Sequence, residues 1–150
     1  QTTNEEKNII NVTLAYDQLS LIKTNKKAFV FSKDIIEAEK LELEINGASN
    51  TELNLNTSFL NVDVNGAAEA LLKGETEKLI SRLSGAAHLK ANDLLANDVV
   101  VSTSGAANAK VNAVSKIMLS ASGASNIEYR GAAEVTRESR SGASGIRKKK

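Results

Sequence analysis

The chain has 150 residues, of which 41% are apolar and 25% charged, so it is large and apolar enough to bury a core and is not intrinsically disordered. Its formal net charge of +1 argues against general nucleic-acid binding, and no run of about 18 apolar residues predicts a transmembrane segment. The absence of Cys excludes disulfides and thiolate metal sites, and the absence of Pro suits long strands because Pro removes a backbone donor.

Residues 1–40 carry strand-like patterns but no repeat. Residues 9–21 alternate in part and contain several β-branched side chains, which predicts a strand, and the polar residues 23–27 predict a turn. Residues 32–40 align with polar corners of later segments, so we predict a loop with a short strand there rather than a helix. We expect residues 1–40 to form irregular coils that cap a regular stack, which continues through residues 41–150 and ends in a basic tail as part of the same domain.

Aromatic side chains are scarce, with only five in the chain. Phe29 and Phe31 are two residues apart in a predicted strand and therefore share one face. We expect Phe29, Phe31, Phe59 and Tyr129 to point inward, which would leave no exposed ring on which a sugar could stack.

A Gly-Ala pair recurs along most of the sequence at intervals of 19, 19, 20, 18 and 19 residues. So regular a period indicates one structural unit built repeatedly. Gly adopts positive φ without a Cβ clash, which predicts a sharp structural turn at each pair. The glycines that begin the pairs are Gly47, Gly66, Gly85, Gly105, Gly123 and Gly142.

Apolar residues flank each predicted turn with a spacing of two. At two, four and six residues before the first five glycines, thirteen of fifteen positions are apolar. A spacing of two places them on one face of a strand, and the longer period stacks them in columns. Positions four and six after each glycine predict a second inward-facing strand. The pattern predicts an all-β fold, a single-stranded parallel β-helix (a solenoid) of about 19 residues per coil.

A polar column is predicted beside the turn, three residues after the glycine. Asn dominates this column, which also holds Glu69 and one His. We predict a ladder that could bind a partner, formed by Asn50, His88, Asn108 and Asn126. His88 is the only histidine, so neither a multi-His metal site nor a Ser-His-Asp triad can be built around more than this residue. A structural role in the turn is the favoured interpretation of His88.

Residues 84–87, 104–108 and 122–131 read SGAA, SGAAN and SGASNIEYRG, and they resemble repeats of the head GIN domain, a family of auto-transporter adhesins of Bacteroidetes-type bacteria. The family's Tyr-x-Gly element matches Tyr129-Arg130-Gly131, and the resemblance covers about residues 41–145. It implies a right-handed β-helix similar in shape to pectin-lyase folds, without a catalytic motif. The family often has Gly as the second small turn residue, where this chain has Ala.

The resemblance also implies a cellular compartment and a class of binding partner. It implies export to the periplasm, outer membrane or surface of a Gram-negative bacterium, and binding to a glycan or a host or cell-surface protein. The chain starts at Gln1 with a polar segment, so we expect that any signal peptide was removed earlier or never existed.

The distribution of charge leaves a second hypothesis open. Residues 1–75 carry 7 basic and 12 acidic side chains, a net of −5, whereas residues 130–150 carry 7 and 2, a net of +5. Such complementary ends would suit a self-assembling, bactofilin-like β-helix that stacks head to tail as a homo-oligomer.

Two sets of polar residues could support chemistry. Asp93 and Asp98, each preceded by Asn, could supply oxygen ligands to Ca²⁺, although loop capping is the favoured interpretation. A glycan-active enzyme is the third hypothesis, because several charged side chains could share an outer face. They are Glu42, Glu44, Asp63, Arg82 and Lys110. No pairing among them recurs, so we predict a protein without catalysis, cofactor or metal.

Overall fold

The computed structural model describes residues 18–150, which form nine strands and no helix. All strand pairs are parallel, and one sheet runs in the order β1-β2-β3-β4-β5-β6-β7-β9, with β8 paired to β6. The strands are β1 (Leu21–Thr24), β2 (Phe29–Ile45), β3 (Asn50–Gly66), β4 (Glu69–Gly85), β5 (His88–Thr103), β6 (Asn108–Ala121), β7 (Asn126–Arg130), β8 (Glu134–Arg140) and β9 (Gly145–Lys148). The predicted all-β solenoid is confirmed.

Each long strand makes almost a whole coil, because it bends without leaving the hydrogen-bonded ladder. In β3, burial alternates up to Thr57, skips two exposed or half-buried positions and resumes at Leu60. This change of phase marks a corner, since a straight strand would keep every second side chain on one face. In the last full coil the corner separates two strands, and β7 and β8 both pair with β6.

The turns between coils stack directly on one another. All six predicted turn glycines have φ between 69° and 80°. At the turns from Gly47 to Gly123, the amide of the following Ala donates to the carbonyl of the turn residue one coil earlier, as in Ala67 to Gly47 and Ala106 to Gly85, both at 2.8 Å. Lys26, with φ 62°, accepts the same bond from Ala48. The column of turns therefore has a seventh member that is not a glycine.

The core fills the space inside the coils and consists of inward columns. Every position two, four and six before the first five repeated glycines is buried, and so is every position four and six after them. Small side chains lie two residues after each glycine, where Ala68, Ala87 and Ala107 have no exposed surface. The inward columns therefore match the prediction from spacing.

The prediction that Phe29 and Phe31 point inward is wrong. Their side chains are 66% and 55% exposed, and their ring centroids lie 5.7 Å apart. Lys26 occupies the turn-glycine position, so these rings lie three and five residues after a turn, where side chains point outward. Phe59 is half-buried and only Tyr129 is buried.

The N-terminal segments differ from the sequence interpretation in one further respect. Residues 32–40 lie within the continuous strand β2, which contains a register shift between Phe31 and Ile35, rather than in a loop. The strand predicted over residues 9–21 lies almost wholly outside the described residues. Within residues 18–150, no helix is present that could span a membrane.

Candidate functional site

Two outward columns follow the turns, and together we call them the post-turn face. The first lies three residues after each turn residue and contains Phe29, Asn50, Glu69, His88, Asn108, Asn126 and Gly145. The second lies five residues after it and contains Phe31, Glu52, Leu71, Lys90, Lys110, Glu128 and Arg147. None of these residues is buried, so the face is available to a partner along seven coils.

A second outward surface, the pre-turn face, lies three and five residues before the turns. It contains the candidate catalytic residues Glu42, Glu44, Asp63 and Arg82, whereas Lys110 lies on the post-turn face. Two of these carboxylates pair with cations, Glu44 with Lys23 at 2.7 Å and Asp63 with Arg82 at 3.6 Å. The structure therefore does not bring the five residues into one site.

The predicted ladder residues lie in one column, as the repeat requires, but with Glu69 between Asn50 and His88. Among them, the Asn126 amide donates to the Asn108 side-chain oxygen at 3.3 Å. Glu69 instead binds Lys90 at 2.7 Å. This column is therefore a varied row of polar groups open to solvent rather than a continuous hydrogen-bonded ladder.

A hydrogen-bonded ladder is present one residue before the turns. The Asn46 amide donates to Asn25 at 3.4 Å, Asn65 to Asn46 at 3.0 Å, and the Ser84 hydroxyl to Asn65 at 2.6 Å. The signal for it was the repeated Asn or Ser before Gly. Stacked asparagines bond to one another in parallel, in-register chains.

Opposite charges on neighbouring coils pair along the post-turn face. Lys90 lies 2.7 Å from Glu69, and Arg147 lies 2.8 Å from Glu128. The Arg147 hydrogen bond holds the pKa of the Glu128 carboxyl below its ordinary value, against a smaller opposing effect of desolvation. Solvent screens pairs of this kind, so they position side chains more than they hold the fold.

Of the two candidate calcium ligands, Asp93 is engaged by other side chains. The Asp93 carboxylate accepts a bond from Arg130 at 3.2 Å and one from its neighbour Asn92 at 3.2 Å. Asp98 lies in register between Lys78 and Lys116. Within the described part of the chain, no three His, Asp or Glu side chains converge as a metal site would require.

Comparisons with known proteins agree with the fold. The sequence profile of the family described as "Putative auto-transporter adhesin, head GIN domain" matches residues 1–133. Two crystal structures have the same fold: a putative adhesin from Bacteroides fragilis (23% identity, TM-score 0.82) and one from Parabacteroides distasonis (22%, 0.80). The matches cover 87% and 86% of this chain but only 61% and 55% of those proteins. No curated protein sequence matches this chain.

Proposed function

The chain belongs to the head GIN domain family, and from this premise we propose that it is a non-catalytic adhesive module that binds a glycan or a protein through its post-turn face. The column of Asn50, His88, Asn108 and Asn126 forms the polar part of the proposed binding surface. The family's adhesin description and the adhesins with the same fold support export to the periplasm, outer membrane or cell surface.

One observation carries this proposal. The interior and the turns repeat from coil to coil, whereas the post-turn face changes from exposed phenyl rings at Phe29 and Phe31 to amides and charges at Asn108 and Lys110. Folding requires the repeated part, so the varied and exposed part is free to be selected for recognition. A row of weak contacts at fixed spacing on one scaffold also gains affinity by multivalency.

Binding to a glycan array and to bacterial and epithelial cells tests the proposal. We expect binding above that of an unrelated β-solenoid of similar charge. Signals equal to the control on both arrays and cells would contradict it. A screen of polysaccharide substrates should yield no product, and turnover would instead support a glycan-active enzyme.

A self-assembling structural β-helix is the second candidate function. The excess of acidic side chains in residues 1–75 and of basic ones in residues 130–150 favours head-to-tail stacking. Light scattering across protein and salt concentrations distinguishes the two candidates. Oligomers that grow at low salt and dissociate at high salt would support assembly, and a monomer throughout would remove it.

A further inference from the structure

Two adjoining depressions lie toward the C-terminal end of the post-turn face. The larger, of about 390 Å³, is lined by residues of β6, β7 and β9 together with Arg140. The smaller, of about 90 Å³, extends from Lys110 to Asn92 and Lys149. Both are lined by Lys110 and Glu128, so they form one continuous surface feature, which we call the cationic groove.

Positive charge dominates the cationic groove. Its five cationic side chains are Lys110, Arg130, Arg140, Arg147 and Lys149. Three carboxylates approach them, because Arg130 pairs with Asp93, Arg140 with Glu138, and Glu128 with both Arg147 and Lys149. Five positive and three negative charges leave an excess of two.

Two cations in the cationic groove are placed to receive an anion. The Arg147 side chain is 79% exposed although Glu128, at 14% exposed, holds it in position. Both Nε and Nη2 of Arg147 donate to Oε2 of Glu128, at 3.1 and 2.8 Å. Among residues 18–150, Lys110 forms no salt bridge and lies one coil below Glu128. The charged heads of Lys110 and Arg147 therefore remain available to a ligand.

We propose that the cationic groove binds an acidic polysaccharide, with Lys110 and Arg147 contacting its carboxylate or sulfate groups and Asn108 and Asn126 contacting its hydroxyls. This inference rests on the proposed adhesive function and names its ligand class. Arginine suits such anions because its planar fork can donate two hydrogen bonds to one of them. The amides supply both donors and acceptors, which a hydroxyl requires.

The lining favours a glycan over the other polyanions. Proteins that bind single-stranded nucleic acid stack its bases on aromatic rings, and the one aromatic residue that lines the groove, Tyr129, is only 8% exposed. An anionic membrane would gain from apolar side chains that insert into it. The apolar lining residues Ala109, Ile127 and Ile146 are at most 9% exposed. The exposed groups of the groove are charged side chains and amides, and an acidic glycan can bind to both.

Calorimetric titration of the chain with defined polymers tests the proposal. The probes are polygalacturonate, which carries carboxylates, heparin, which carries sulfates, neutral dextran, single-stranded DNA and vesicles of phosphatidylserine. The groove variant Lys110→Gln with Arg147→Gln is compared with Lys23→Gln with Arg82→Gln, which removes the same two charge types from the pre-turn face. Circular dichroism melting verifies that both variants are folded.

We expect polygalacturonate or heparin to bind, with Kd raised about tenfold or more in the groove variant and by less than about twofold in the pre-turn variant. Which of the two binds identifies the anion. Equal losses in both variants, or binding of DNA or vesicles alone, would overturn the groove proposal. Binding of neutral glycans or cells without any acidic polymer would overturn it while leaving the adhesive function intact. No binding to any glycan, protein or cell would remove both.

Discussion

The turns and the first column of the post-turn face lie three residues apart along every coil, yet the turns repeat one structure whereas the face varies in its side chains. The turn residues keep one backbone conformation, and those from Lys26 to Gly123 are linked from coil to coil by one repeated hydrogen bond at 2.8 Å. The first column of the post-turn face holds an aromatic ring at Phe29, an acid at Glu69 and an imidazole at His88. The fold requires the first region to repeat, and nothing in the fold restricts the chemistry of the second.

The strongest test of this contrast replaces leucine on the two sides of one sheet. Leu60 is fully buried, and we expect Leu60→Ala to lower the free energy of unfolding by about 2–5 kcal/mol because it leaves a cavity. Leu71 lies on the post-turn face and is half-exposed, so Leu71→Ala should cost less than about 1.5 kcal/mol. Chemical denaturation measures both. Similar losses would contradict the assignment of inward and outward columns.

A turn glycine should tolerate substitution less well than its position on the surface suggests. A Cβ at Gly105 would lie 2.8 Å from the Gly85 carbonyl oxygen, and φ there is +75°. We expect Gly105→Ala to destabilise the chain by about 1–3 kcal/mol. Lys26→Gly is the matched reversal, and it should stabilise by about 1 kcal/mol since Lys26 already has φ 62°. An unchanged melting temperature for Gly105→Ala would refute a strained turn column.

The asparagine ladder before the turns should contribute more to stability than asparagine after them. Asn65 donates to Asn46 and accepts from Ser84, so Asn65→Ala should cost about 1 kcal/mol. Asn50, exposed on the post-turn face, is the matched control, and Asn50→Ala should change stability by less than about 0.5 kcal/mol. Thermal melting of both variants measures the difference. A larger loss for Asn50→Ala would reverse the roles assigned to the two columns.

The smallest expected effect is a change in the pKa of Glu128, without a change in the fold. The Arg147 hydrogen bond lowers the pKa of Glu128, so Arg147→Gln should raise that pKa toward its ordinary value while Lys149 remains nearby. Because the folded pKa is depressed, the pair favours the folded state above the ordinary glutamate pKa, and this contribution is lost as pH falls through the folded pKa. NMR titration of the Glu128 carboxyl carbon measures the shift. Lys90→Gln, two coils away on the same face, should leave the pKa of Glu128 unchanged.

Much of the fold was predictable because its causes are local and repeated. Each glycine marks a turn that requires positive φ, and each apolar residue two positions away marks an inward side chain. Gly74 and Gly131 also have positive φ, at 112° and 105°, and mark corners inside a coil. Both lie eight residues after a turn glycine, but Leu55, Asp93 and Ala113 occupy that offset in other coils, so the period from turn to turn did not reveal them.

Other features depend on which coil lies next to which, and this was harder to infer. Lys26 takes the turn position, so no glycine shows in the sequence where this first turn lies. The outward positions of Phe29 and Phe31, three and five residues after it, could therefore not be assigned by counting from a glycine. The cationic groove combines residues from four coils, from Asn92 in β5 to Arg147 in β9, and includes Arg140 of β8. Such a surface is set by register between strands, which composition and spacing along one strand do not specify.

The central claim is that recognition belongs to the post-turn face and not to the turns or the pre-turn face. It is tested most directly by comparing binding to the best glycan or cell target for two multiple variants. One changes Asn50, His88, Asn108 and Asn126 to Ser, and the other changes Glu42, Asn61, Asp63 and Arg82 to Ser. We predict that the first loses binding at least tenfold with little change in melting temperature, and that the second binds as the parent chain does. Loss confined to the second variant, or none in the first, would contradict the claim.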